Sequence, residues 1–517
     1  MIGTSIGDLF EKSVSQYSHK TAIKDYRRSV TYNELRVEVN KCAHLLMQLG
    51  IKHGDRVALY MKNCIEYIVL EFAIAKVGAV RVPLNHFLNE KEVEYRLTDS
   101  QSKAIFCSAE FYNRIQSIKN RDLKDLIVVT VDNEDDFSLN SLMKKSSSDV
   151  QEPHVKEEDI AAIMYTGGTT GRSKGVIHTH KSLISLMYSE IIECDITREG
   201  VLLHSTPLPH AAGFFILPGL LRGCTHILHK EFNPAKFCET VERERVTFAL
   251  LVPTMIYAIL DLEERSSYDL SSLQTIVYGA APMAPARIEQ ALETFGPILI
   301  QIYSQMEVAN QTTVLTKQDH VKFLKNDKKR LASCGKEVII SQVKIVDDNG
   351  QEVGVEEVGE IITRGPHMMK GYWKLRKETM ETIKKGWIYT GDLAYRDQEG
   401  YIYLVDRKKD MIISGGFNIY TTNVESALFK HPGVKQAAVI GVPDDKWGEA
   451  VKAIVVKHDK SNVTEVELLS HCKKHLSGYE VPKSIDFVDT LPLTPYGKID
   501  KKALRKRYWE KKERQIN

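Results

Sequence analysis

Through residue 300 the apolar positions fall into short runs separated by longer amphipathic stretches. The opening segment reads as an amphipathic helix followed by a strand at 21–24. Thr31-Tyr-Asn-Glu34 is a capping box, in which threonine and glutamate each satisfy a free amide at a helix start. The helix it opens is expected to run to about Leu49. Arg56-Val-Ala-Leu-Tyr60 is a short apolar strand, 67–77 an apolar helix and 78–83 a further strand. The alternation recurs, with strands expected at 104–107, 126–131, 161–165, 225–228, 248–252 and 275–278. Strands alternating with helices predict α/β layers on largely parallel sheets.

Near residue 335 the pattern changes. Short strands at 343–347, 359–364, 393–396 and 401–405 are divided by turn signals such as Asp348-Asn-Gly350 and Glu399-Gly400. They predict a smaller β-rich unit. After Asp406-Arg407 the alternation returns, over a block long enough for a small α+β domain. The expected fold class is therefore α/β: a large N-terminal domain of parallel-rich α/β layers with a small β-rich subdomain, then a small C-terminal α+β domain.

Composition narrows the picture. A chain of 517 residues is too long for one ordinary core. Its 70 basic and 68 acidic residues nearly cancel, which gives no reason to expect nucleic acid or a membrane surface as partner. The N-terminus lacks a basic segment followed by an apolar run, so no signal peptide is expected. The most apolar stretch, 211–221, is shorter than the ~20 residues of a membrane span and holds Gly213, Pro218 and Gly219. The eight cysteines are scattered without a CxxC pair, which predicts packed, reduced thiols in a cytoplasmic protein, with neither disulfide framework nor zinc site.

The most informative stretch is Thr166-Gly-Gly-Thr-Thr-Gly-Arg-Ser-Lys-Gly175, directly after the apolar run 161–165. Glycines let backbone amides turn inward, threonines add hydroxyls and Lys174 adds a cation, a composition suited to a triphosphate cradle. It is not a Walker A loop, because no Gly-Lys-Ser/Thr follows at the required spacing. Taken alone, the stretch also reads as a flexible surface linker.

Tyr165-Thr-Gly-Gly-Thr-Thr-Gly-Arg-Ser-Lys-Gly-Val176 closely resembles the signature loop of the acyl-adenylate-forming superfamily, which includes acyl-CoA synthetases, luciferases and peptide adenylation domains. Further motifs resembling that family follow in order over essentially the whole chain. Pro207-Leu-Pro-His210 with Gly213 resembles the acyl-pocket loop, and Tyr278-Gly-Ala-Ala-Pro282 the adenine turn. Gln301-Ile-Tyr-Ser-Gln-Met-Glu307 resembles the segment that carries an adenine-packing tyrosine and a magnesium-binding glutamate. Gly359-Glu-Ile361 through Gly371-Tyr-Trp373 matches a structural motif, and Trp387-Ile-Tyr-Thr-Gly-Asp392 the ribose motif. Asp406-Arg-Lys-Lys-Asp410 through Gly415-Gly-Phe-Asn418 matches the hinge and the loop beyond it. Pro492-Leu-Thr-Pro-Tyr-Gly-Lys498 matches the catalytic-lysine loop.

The resemblance implies an ATP-dependent carboxylate–CoA ligase that forms acyl-AMP and then a thioester. It implies an N-terminal domain 1–405, a hinge at Asp406 and a mobile C-terminal domain 407–517 that rotates between half-reactions. The implied catalytic residues are Lys498, Glu307 and His210. Nucleotide and CoA contacts fall to Thr166, Gly168, Thr169, Thr170, Lys174, Gly279, Ala280, Ala281, Gln301, Tyr303, Asp392, Arg407, Lys409, Gly415 and Gly416. Mg2+ would sit on Thr166 and Glu307. These types suit the chemistry: two anions meet as pyrophosphate leaves, so preorganised positive charge and N–H donors matter more than acid–base groups. Without the resemblance, Asp392 reads as a turn residue, Lys498 as a surface cation, Glu307 as an exposed helix residue and His210 as a core or loop histidine. The basic tail from Lys501 to Arg514 reads as a solvated helix or as an approach to CoA phosphates.

Several positions depart from the family pattern. Gly167 stands for a usual serine, Ser173 for a proline, Ser304 for a glycine and Met306 for a threonine that helps the α-phosphate. Thr421 and Asn423 replace a proline and a glutamate near a helix start that Asn423 is suited to cap. Three functions remain open: a CoA ligase, a stand-alone enzyme loading a carrier protein, and a catalytically silent relative. The expected acyl wall, at 211–215, 253–257, 278–280 and 303–305, is mostly apolar. Medium- or long-chain fatty acids lead, with aryl acids second. The remaining expected partners are small molecules, with a monomer or homodimer as the assembly.

Overall fold

The computed structural model describes residues 5–133, 136–149, 153–166, 172–459, 461–493 and 499–509. The chain separates into two compact units, one of residues 1–166, 174–343 and 363–388, the other of 167–173, 344–362 and 389–517. In the first unit, a nine-stranded sheet is parallel through its centre. Thr275–Gly279 lies between Phe248–Leu251 and Leu299–Tyr303, and the order continues through Val201–His204, Thr225–Leu228 and Thr21–Lys24. Its edges are antiparallel, at Thr313–Leu315 and at Ser29–Thr31. A seven-stranded sheet places Arg56–Tyr60 between Val80–Leu84 and Ser102–Cys107, with Ile160–Tyr165 beyond Val80–Leu84.

Apolar runs become buried strands because both faces of these sheets are covered by helices. Phe10 and Phe72, on helices Ile6–Tyr17 and Ile65–Lys76, stack with centroids 4.5 Å apart in the main core. The box at Thr31 and Glu34 forms as read and starts helix Tyr32–Gln48. All eight cysteines are buried free thiols. No helix among the described residues is long and apolar enough to cross a membrane.

Strands Gln342–Val346, Gly359–Arg364 and Trp387–Arg396 form the expected β-rich group, which Ile402–Arg407 extends. Trp387–Arg396 is longer than the 393–396 read from the sequence, because the Thr390-Gly-Asp392 turn signal is taken up within a ten-residue strand. Beyond it, Gly448–Lys457 pairs with Val434–Asp444, Ile412–Ser414 and Ser484–Phe487. Helices Thr421–Phe429 and Glu465–His475 enclose one apolar cluster with this sheet, while Leu504 of Lys501–Trp509 joins a separate one.

Candidate functional site

Ile160–Tyr165 and Gly175–Thr179 pair antiparallel with Tyr165 opposite Gly175, so the glycine- and threonine-rich stretch connects a hairpin. The Thr166 amide donates to the Lys174 carbonyl at 3.0 Å, and the Lys174 amide reaches Thr166 Oγ1 at 3.4 Å. These contacts close the base of the loop. Gly167, Gly168, Thr169 and Thr170 lie outside the described residues. The strand entering the loop is anchored by the Tyr165 phenol, which donates to Asp99 at 2.6 Å.

The segment expected to take adenine and the one leading to Glu307 lie on neighbouring strands. Gly279 lies opposite Ile302, and a Cβ there would stand 2.4 Å from the Ile302 carbonyl oxygen. The following Ala280, at φ 66°, and Ala281 are exposed, leaving backbone open to a flat ligand. Gln301 and Tyr303 are buried on Leu299–Tyr303.

Glu307 sits on the short turn Met306–Val308, which three contacts hold. Met369 donates its amide to the Glu307 carbonyl at 2.8 Å. His178 gives its Nε2 proton to the Met306 carbonyl at 2.8 Å; burial pushes that imidazole down to about 4, so it stays neutral. The Tyr372 hydroxyl donates to Glu307 Oε1 at 2.7 Å. Tyr372 belongs to a two-residue strand laid antiparallel on Gly175–Thr179, and the Lys174 ammonium lies 4.8 Å from its ring centre. The Met306 side chain packs against two apolar clusters, around Val176 and Met369 and around Ala162 and Leu183.

Behind Glu307 the backbone turns sharply, with Ala309 at φ 37° and Asn310 at φ 25°. A buried polar group holds this turn. Asn310 donates to Glu190 Oε1 at 2.9 Å, Ser189 to Gln311 at 2.7 Å, and Gln311 to the Cys194 sulfur at 3.0 Å. Burial pushes the Glu190 carboxyl up to about 8, against the opposing hydrogen bond from Asn310. Neither Tyr372, His178 nor Glu190 was singled out from the sequence, since nothing local marks a strand histidine or a helix glutamate as a partner of residue 306 or 310.

The expected acyl wall is only partly available. Phe215 is fully buried against Phe248, and the Tyr278 hydroxyl is hydrogen-bonded to His320 at 2.9 Å, so both rings belong to the core. Tyr257 lies under the Arg287 guanidinium. Phe214, packed beside Ala161, Met164 and Leu183, is the apolar side chain of 211–215 that sits against the loop-bearing strand. His210 lies in the turn Leu208–Ala212 with φ −122° and ψ −150°, breaking its winding.

In the second unit Asp392 stands opposite Arg407 across paired strands, with Asp392 Oδ1 3.3 Å from Arg407 Nε. Asp392 is buried and Arg407 half exposed. Burial, then the Arg407 charge, push the Lys409 ammonium down to about 8, with Asp410 and Asp392 opposing. Gly415 and Gly416 form the turn between Ile412–Ser414 and Phe417–Ile419; a Cβ on Gly415, at φ 57°, would stand 2.6 Å from the Trp447 ring.

The buried Asp406 carboxylate accepts the Thr421 amide at 2.5 Å and the Thr421 hydroxyl at 2.8 Å. Lys501 donates to Thr421 Oγ1 at 2.7 Å and pairs with Glu425 at 2.7 Å. Asn423 does not cap its helix: the helix begins at Thr421, two residues earlier, because Asp406 satisfies the first amide from outside. Lys498 lies outside the described residues.

The family model of the AMP-binding enzymes matches residues 10–373, and that of the AMP-binding enzyme C-terminal domain matches 423–498. The chain belongs to the AMP-binding enzyme family, among its AMP-forming acid–thiol ligases. It is 38% identical over 492 residues to a feruloyl-CoA synthase of Amycolatopsis, covering 95% of this chain and 96% of the relative. It is 42% identical over 360 residues to the medium/long-chain-fatty-acid–CoA ligase FadD8 of Mycobacterium tuberculosis, covering 68% of this chain and 62% of the relative. The structure of the amide bond synthetase McbA from Marinactinospora thermotolerans superposes with a TM-score of 0.87 at 30% identity, covering 97% of this chain and all of McbA.

Thr421→Val removes the hydroxyl that joins Asp406 to Lys501. It should cost about 2 kcal/mol locally, seen as roughly thirtyfold weaker hydrogen-exchange protection over residues 419–430; unchanged protection would show the hydroxyl is not holding that helix start. Glu190 is a carboxyl whose folded value, about 8, lies above its ordinary 4.5. Its stabilising contribution is full below pH 4.5 and is lost as pH rises through 8. Glu190→Gln, which copies the protonated acid, should match the wild-type Tm near pH 4.5 and exceed it increasingly toward pH 8.5; melting curves that stay parallel would contradict this.

Proposed function

We propose that this protein activates a hydrophobic carboxylic acid with ATP and passes the acyl group to CoA, with medium- or long-chain fatty acids as first substrates. The observation that carries the reading is the arrangement around Tyr372: a phosphate-loop lysine and a half-buried carboxylate held on one ring, beside the closed base of a glycine- and threonine-rich hairpin. A cation and a metal-type carboxylate side by side suit a triphosphate and its divalent ion.

In the first step a carboxylate oxygen attacks the α-phosphorus, forming the acyl-phosphate anhydride while pyrophosphate leaves. Thr166, Thr169, Thr170 and Lys174 receive the phosphates, and Lys498 bridges carboxylate and α-phosphate. The open backbone at Gly279, Ala280 and Ala281 takes adenine beside Gln301 and Tyr303, and Asp392 with Arg407 takes the ribose hydroxyls. Glu307 with Thr166 would hold Mg2+, which when bound would supply positive charge to the phosphate oxygens. In the second step the CoA thiolate attacks the acyl carbonyl and AMP leaves. Gly416, with open space where a side chain would stand, leaves room for pantetheine beside Gly415, after domain 407–517 turns about Asp406 relative to 1–405. The reading places the enzyme in the cytoplasm.

The likeness to FadD8 supports fatty acids. A second reading, an aryl acid, is favoured by the likeness to the feruloyl-CoA synthase across nearly the full length of both chains. Purified protein should release pyrophosphate with acids from octanoate to palmitate and form the matching acyl-CoA by mass spectrometry. Faster turnover of cinnamates selects the aryl reading, and pyrophosphate release without CoA thioester moves the acceptor elsewhere. Silence across the whole panel overturns the assignment. Lys498→Ala should lower pyrophosphate release by ~10²–10³.

A further inference from the structure

Lys174 and Glu307 carry opposite charges, flank the same side chain and make no ion pair with each other. The ring between them is Tyr372, buried on the two-residue strand that lies against Gly175–Thr179. Its position is fixed from several sides. Its amide donates to Thr379 Oγ1 at 2.9 Å, and the neighbouring Lys370 and Trp373 amides donate to Ile177 and Gly175 at 2.9 and 2.7 Å.

We propose that Tyr372 is a positioning residue that keeps the phosphate-loop cation and the metal carboxylate apart and available. Its hydroxyl fixes Oε1 of Glu307 and leaves Oε2 for a divalent ion. Its face holds the Lys174 ammonium through the ring quadrupole, an attraction that does not neutralise the charge. Without the ring, Lys174 falls onto Glu307. The resulting ion pair then competes with both metal and pyrophosphate. The inference rests on Glu307 being the metal carboxylate.

The test is Mn2+ binding to the full-length protein with ATP, followed by electron paramagnetic resonance, together with the metal dependence of pyrophosphate release. Tyr372→Phe keeps the packed ring and removes the donor. It should weaken Mn2+ binding roughly tenfold, as expected for losing a hydrogen bond to a charged group. The deficit should appear in the half-saturating metal concentration rather than in the rate at saturating metal. Tyr372→Leu should weaken Mn2+ binding further, and adding Lys174→Met to it should restore part of that binding, since the competing cation is gone. Circular dichroism melts establish that each variant is folded. Unchanged Mn2+ affinity in Tyr372→Phe, alongside a large loss in Glu307→Gln, overturns the role of Tyr372 alone. Unchanged affinity in Glu307→Gln overturns the metal assignment itself. A double variant no better than Tyr372→Leu removes the spacer role.

Discussion

The strand Gly175–Thr179 is the constraint on which the placement of Lys174 and Glu307 depends. One edge pairs with Ile160–Tyr165 and closes the base of the glycine- and threonine-rich stretch; the other receives Gly371–Tyr372. His178, on the same strand, holds the Met306 carbonyl. Five residues thus tie together segments that are far apart in sequence. They do so with backbone hydrogen bonds and one neutral imidazole. Reactive charges are costly to place near one another without a rigid support, because each tends to pair with its neighbour rather than wait for substrate. A short strand bonded on both edges supplies that rigidity.

Much of the architecture was legible in the sequence where local pattern and burial agree. Arg56–Tyr60 and Thr225–Leu228 are apolar runs and form strands at those bounds. The helix at Thr31 starts where its capping box places it. The pattern failed where tertiary contacts overrode local chemistry. Thr390-Gly-Asp392 looks like a turn and lies inside a strand, because Thr390 bonds the Ile361 carbonyl and Glu360 takes the Gly391 amide. Asn423 has the chemistry of a cap and loses the position to Asp406, a residue no local pattern links to that helix.

The site shows the same division. Motif order pointed to Thr166, Lys174, Glu307, Asp392 and Arg407, and Asp392 with Arg407 lie opposite each other on paired strands. Periodicity could not separate wall from core: Phe215 and Tyr278 sit within pocket-like motifs yet fill the interior. Tyr372 lay in a motif read as structural, and its partners at 174 and 307 appear only once the chain is folded.

The departure at Met306 illustrates why a changed side chain need not displace a site. A thioether cannot donate a hydrogen bond as a threonine at that position would. The segment's position, however, rests on its backbone, through the Met306 carbonyl to His178 and the Glu307 carbonyl to Met369. The side chain is left to join two apolar clusters, a task its flexible, polarisable stem performs well. Thr421 shows the converse. Where a proline would offer neither donor, threonine gives Asp406 both an amide and a hydroxyl, and Lys501 extends the chain of contacts. One residue thus joins two apolar clusters, the other adds hydrogen bonds at Asp406. Both leave the backbone contacts of their segments in place.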